Sequence, residues 1–275
     1  MRRLEREREH GNVAGGPAAY YLSLGDSLST GVQPIGPEDR QFRTDQGYAD
    51  QLAELARRRL PGLQVVKLGY PGESTTTMID GSLGEYPHGS QLEEAVAFLR
   101  EHRGSVAFVT IDIGFNDVPT RDLEGLVLGM TAVSQNLPGI LSRLREAAGP
   151  STPIVGMTIY DPLLACWLDG PEGQDLARMS VVGAVLPMNF HLAQIYRAAG
   201  MAVADVEGGF STTDFETLVS VDGVGTVPLN VARILAWTWA GTPPPLGPDM
   251  HANALGYRAI AAAFEEVLFA ESTST

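Results

Sequence analysis

Cysteine is nearly absent: the 275 residues contain one, Cys166. A lone thiol closes no internal disulfide, so burial rather than cross-linking must hold the fold together. Cys166 has no catalytic neighbour in the sequence and reads as a small packed side chain. Positive charge is also scarce, with 19 Lys and Arg against 33 Asp and Glu, a formal net charge of −14. That balance repels phosphate backbones, so no nucleic acid partner is expected. No apolar run approaches the ~20 residues that span a bilayer, so no transmembrane segment is expected either. Paired Cys or His spacings are missing, and no metal site is expected. The glycines form neither a phosphate-cradling Gly-x-x-x-x-Gly-Lys string nor a strand-linked Gly-x-Gly-x-x-Gly, so no cofactor is expected.

What is present is an ordinary globular composition, 44% apolar and 19% charged. Residues 1–17 alternate Arg and Glu and then turn Gly-rich, which reads as a charged flexible leader without a signal peptide's apolar core. This points to a cytoplasmic location, although a secreted chain after signal removal would look the same. Residues 18–275 then alternate strand-like and helix-like stretches with no linker between them. Strands are expected at 18–25, 63–69, 105–113, 153–160 and 201–206. Helices are expected at 48–60, 90–102, 121–147 with an interruption near Pro138, 173–199 with a break at Pro187, 228–240 and 253–269. Alternation of this kind argues for one α/β domain, a three-layer α/β/α sandwich around an about five-stranded parallel sheet. Open sheets of this type place ligands outside the carboxyl ends of their strands.

Four stretches fall at such strand ends or at a helix start. They are Gly25-Asp26-Ser27-Leu28, Leu68-Gly69-Tyr70-Pro71-Gly72-Glu73-Ser74, Ile113-Gly114-Phe115-Asn116-Asp117, and Pro248-Asp249-Met250-His251-Ala252-Asn253. In this order the chain resembles the SGNH (GDSL-type) serine esterases and lipases. The resemblance implies a flavodoxin-like fold and hydrolysis of carboxylic esters through an acyl-enzyme. Small-molecule, lipid or sugar esters would be the substrates, and acyl transfer on the same site is the alternative. It casts Ser27, on a tight turn just before a helix, as nucleophile and His251 as its base. The oxyanion donors would be the Ser27 N–H, the Gly72 N–H and the Asn116 amide.

Chemistry agrees with those roles. A serine hydroxyl needs a base to accept its proton, and an imidazole titrates in the right range. The group behind the imidazole is left open. The family spacing would put an aspartate at position 248, which is proline here. Either Asp249, two residues before His251, or a backbone carbonyl in 247–249 orients the ring. A cap for the last helix is the other reading of Asp249. Asp26 and Asp117 read as loop braces. Asp112 and Asp205 fall within apolar strands, where a buried carboxylate needs a partner that the sequence does not name.

Overall fold

The computed structural model describes residues 19–36, 42–120 and 122–270. The leader expected at 1–17 lies outside the described residues. In chain order the elements are β1 (Tyr20–Gly25), the short strands β2 (Val32–Gln33) and β3 (Phe42–Arg43), α1 (Tyr48–Arg57), β4 (Gln64–Lys67), α2 (Thr75–Asp80), α3 (Gln91–Glu101) and β5 (Val106–Asp112). There follow α4 (Leu123–Ala148), β6 (Ile154–Met157), α5 (Pro171–Ser180), α6 (Leu186–Ala198), β7 (Ala202–Ala204), α7 (Val206–Gly209), the hairpin β8 (Leu218–Val221) and β9 (Gly225–Pro228), α8 (Leu229–Trp237) and α9 (Ala254–Phe269).

Five strands make one parallel sheet in the order β4-β1-β5-β6-β7. By position this is the 2-1-3-4-5 order of doubly wound folds, and its direction of winding reverses between β1 and β5. A crevice opens at that reversal, so residues at the carboxyl ends of β1 and β5 are set side by side. Helices α1 and α9 cover one face, while α3, α4 and α6 cover the other. The expected three-layer architecture is therefore present. Its centre is β5, apolar and buried almost throughout, as a strand covered on both faces must be. On one face Tyr48 stacks on Phe264, ring centroids 5.0 Å apart, joining α1 to α9.

Several expectations need correcting. Helix α4 runs unbroken through Pro138. Pro138 and Ser134 are both on the exposed face, where water can take the carbonyl that proline leaves without a donor. Pro187 likewise breaks nothing: a wide turn, Val181–Val185, joins α5 to α6 and absorbs the missing N–H. The resulting helix, Pro171–Ala198, is long and apolar enough to cross a membrane by length and composition, contrary to the expectation that no segment is. Its Val181, Met188, Leu192 and Tyr196 are buried within the fold, so one face of it is core. Asp205 lies past the end of β7, exposed, and its side chain caps α7 by accepting the Gly208 N–H at 2.9 Å. The hairpins β2–β3 and β8–β9 were not expected, because each strand is too short to show a period.

Candidate active site

Ser27 follows directly on β1. Gly25 ends that strand at φ +125, and a side chain there would collide with the carbonyl and carboxyl of Asp112 on β5. Only glycine lets the two strand ends meet so closely. The chain then turns tightly, with the Gly31 N–H on the Leu28 carbonyl at 3.2 Å and the Val32 N–H on the Ser27 carbonyl at 3.0 Å. No helix begins there, contrary to expectation, since α1 starts only at Tyr48. The turn's own N–H groups, rather than a helix dipole, are what Ser27 has around it.

Gly72 adopts φ +84 in the turn after Pro71. The N–H groups of Ser27 and Gly72 donate to no acceptor among the described residues. Asn116 stands on a single 3-10 turn, Phe115–Asp117, just past β5. Its Nδ2 donates to Asp26 Oδ2 and to the Glu73 carbonyl, both at 3.0 Å. An amide nitrogen has two hydrogens, so donation to a substrate requires Asn116 to exchange one of these bonds. Asp117 braces the same turn by accepting the N–H and hydroxyl of Thr75, at 2.9 and 2.5 Å.

His251 lies between α8 and α9 and is only 8% exposed. Its Nδ1 is 2.6 Å from Asp249 Oδ1, and its backbone N–H donates to the same oxygen at 2.9 Å. Of the alternatives left open by the sequence, the carboxylate is the one in contact with the ring. A carboxylate at Nδ1 fixes the proton there and leaves Nε2 to accept another. Asp249 does not cap α9; Asn253 does, accepting the N–H groups of Leu255 and Gly256 at 2.9 and 3.2 Å.

Two further residues hold the histidine loop. The backbone of Trp239 receives the Asp249 N–H and donates to the His251 carbonyl, both at 3.0 Å. The Tyr160 hydroxyl donates to the Met250 carbonyl at 2.8 Å, while its ring stacks on Phe210 at 4.5 Å. Tyr160 follows β6 at the ligand-binding end of the sheet, the one hint that the sequence offered. Trp237 packs edge-on to Phe210, centroids 5.2 Å apart, and so belongs to the packing.

Ser27, Gly72, Asn116 and His251 line one cavity of about 230 Å³. Ile113, Phe115, Met157 and Ile159 give it apolar walls. Ser27 Oγ donates to Asp26 Oδ1 at 3.5 Å and makes no hydrogen bond to His251; the bond between nucleophile and base often forms only when substrate tightens a site. Beyond the histidine loop a groove of about 590 Å³ shares Pro162, Met250 and His251 with the cavity and is lined further by Cys166, Leu168 and Asp249. Cys166 is thus half-buried on a groove wall. The carboxyls beneath the site are unusual. Burial raises Asp26, Asp112, Glu73 and Asp117 above the ordinary carboxylate range.

The cavity sits at the switch point of a flavodoxin-ordered sheet, where such folds bind ligands. The chain matches the model of the GDSL-like lipase/acylhydrolase family over residues 23–259, and it belongs to that family. Among solved structures it is similar to the acetylxylan esterase Axe2 of Geobacillus stearothermophilus, at 18% identity and TM-score 0.57, covering 93% of this chain and 96% of that one. It is also similar to the extracellular lipase of Streptomyces rimosus, at 18% identity and TM-score 0.54, covering 90% and 99% of the two chains. A third is the lipase Lip_vut3 from a goat rumen metagenome, at 18% identity and TM-score 0.54, covering 90% and 96%. At these identities the likeness is one of fold. No curated protein sequence matches the chain.

Proposed function

We propose that the protein cleaves carboxylic esters through an acyl-enzyme on Ser27. The hydroxyl attacks the ester carbonyl while His251 Nε2 takes its proton, and Asp249 stabilises the imidazolium. The N–H groups of Ser27 and Gly72 receive the oxyanion, joined by Asn116 once it releases one of its present partners. His251 then protonates the leaving alcohol, and water repeats the sequence in the opposite direction. The observation that carries this reading is the shared cavity: a hydroxyl, a carboxylate-backed imidazole and two unengaged N–H groups line one space.

The walls supplied by Ile113, Met157 and Ile159 suit a small apolar acyl group. Short-chain esters therefore turn over faster than long-chain ones. The groove beyond His251 leaves room for an alcohol acceptor in place of water, and product analysis with added alcohol separates transfer from hydrolysis. The direct test is turnover of a short-chain chromogenic ester by the protein and by Ser27→Ala. Turnover that disappears in Ser27→Ala supports the reading, and equal turnover in both refutes it.

A further inference from the structure

The two N–H groups that face the cavity sit on different turns, Ser27 after β1 and Gly72 after β4. One buried side chain spans the gap between those turns. Gln91 opens α3 and has no exposed surface. Its backbone is set by the helix start, where the Ser90 side chain accepts the Glu93 N–H at 3.2 Å. Gln91 Oε1 accepts the Gly25 N–H at 2.7 Å, and Nε2 donates to the Gly25 carbonyl at 3.0 Å. One amide thus brackets Gly25 from both sides. The same Nε2 donates to Glu73 Oε2 at 2.9 Å.

A primary amide has one acceptor oxygen and two N–H hydrogens. These three bonds engage the oxygen and both hydrogens, and they fix which end is which. Reversed, the NH2 group would face the Gly25 N–H and the oxygen would face the Glu73 carboxyl. The Tyr86 hydroxyl closes over the pair, 3.2 Å from both Gln91 Nε2 and Glu73 Oε2, and donates to the Leu68 carbonyl at 2.9 Å.

Both ends of this link reach the site. Gly25, at φ +125, leads into the nucleophile turn, and its carbonyl also accepts the Tyr70 N–H at 3.0 Å. Glu73 follows Gly72, and its own N–H donates to the Tyr70 carbonyl at 3.1 Å. The Glu73 carbonyl accepts Asn116 Nδ2 at 3.0 Å. A shift of Glu73 therefore moves the Gly72 N–H and Asn116 together.

We propose that Gln91 is a positioning residue: through Gly25 and Glu73 it sets the separation of the Ser27 and Gly72 N–H groups and the place of Asn116. The inference rests on the reading of Ser27 as nucleophile. Oxyanion donors act over a narrow range, about 2.7–3.1 Å from where the developing charge will sit. Ester binding against the apolar walls needs no such precision. Loss of Gln91 therefore lowers kcat and leaves KM nearly unchanged.

The test is steady-state kinetics on a short-chain ester for the protein, Gln91→Leu, Gln91→Glu, and Gln91→Glu combined with Glu73→Gln. Gln91→Leu keeps most of the volume and loses all three bonds. Its kcat is expected to fall on the order of 10²-fold, the scale of a misplaced reacting group. Gln91→Glu keeps an acceptor for the Gly25 N–H but sets two carboxyls against each other, and kcat falls to a similar extent. Adding Glu73→Gln restores one donor and one acceptor to the pair with the roles exchanged. The kcat of that double variant recovers by about tenfold, the size of coupling expected within one hydrogen-bond network.

A role confined to stability is separated by a cycle with Asn116→Ala. Gln91→Leu costs several-fold less in that background, because one of the donors it positions is already gone. Unchanged kcat in Gln91→Leu, a loss confined to KM, or full additivity with Asn116→Ala overturns the inference. Should Gln91→Leu fail to fold, Gln91→Glu against the double variant decides, and no recovery overturns it. Persistent turnover in Ser27→Ala would instead refute the nucleophile reading. Turnover lost in Ser27→Ala but untouched in Gln91→Leu would overturn only the role given to Gln91.

Discussion

Asp249 reaches the imidazole from two positions upstream, and its 2.6 Å contact with Nδ1 sets which ring nitrogen is free to accept a proton. Asp249→Asn keeps the shape but favours the wrong tautomer, so kcat is expected to fall by about 10⁴ with KM nearly unchanged. Steady-state kinetics on a short-chain ester checks this; a loss confined to KM would contradict it. Asn116→Ala removes a donor and is expected to cost ~2.7–4 kcal/mol of barrier. At this scale the sequence was informative about residue types and poor about partners. It singled out Ser27, Gly72, Asn116, Asp249 and His251, which lie around one cavity and its rim, but left the group behind His251 undecided. Proline at 248 breaks the usual spacing, and a two-residue reach depends on loop geometry that no periodicity encodes. The partners of Asp112 were equally hidden, because Tyr48 is 64 positions away.

Among the elements, α4 invites a direct measurement. Pro138 lies inside it on the exposed face, so the helix lacks one hydrogen bond and tolerates the loss by solvation. Pro138→Ala is expected to stabilise the protein by about 1–3 kcal/mol, the helix-interior cost of proline less its restriction of the unfolded chain. Urea unfolding reads this directly, and a destabilised variant would mean that the proline shapes the helix in a way the fold requires. The histidine loop makes a second case. Tyr160→Phe removes the hydroxyl that holds the Met250 carbonyl and is expected to cost about 0.5–1.5 kcal/mol, with kcat falling more than KM rises. Elements with a full period were legible from sequence: all five sheet strands, α1, α3 and α9 fall within a few residues of expectation. What was missed was short or wide. The two-residue strands β2 and β3 show no pattern, and the turn before Pro187 keeps a helix going where proline rules would end it.

For the whole molecule, the buried carboxylates set the response to pH. Burial raises Asp26, Asp112, Glu73, Asp117 and Glu207 in the folded state. Above the ordinary carboxylate range the folded chain then holds more protons than the unfolded chain. Stability therefore declines as pH rises from that range through the raised values. Hydrogen bonds lower Asp80, Asp122 and Asp214, and the Arg143 bond lowers Glu93. Their contributions disappear only as pH falls below the ordinary range. The net charge of −14 adds repulsion that grows with pH. A stability maximum on the mildly acidic side is expected, and thermal unfolding across pH measures it; a maximum in alkaline buffer would contradict this assignment.

The central claim, that Ser27 is acylated with His251 as its base, is tested most directly by quenching a turnover reaction and locating the acyl group by peptide mass spectrometry. The account predicts one acyl adduct, on the peptide holding Ser27, and its absence from His251→Ala quenched at the same time. An adduct on any other residue, or one that forms as fast without His251, would contradict it.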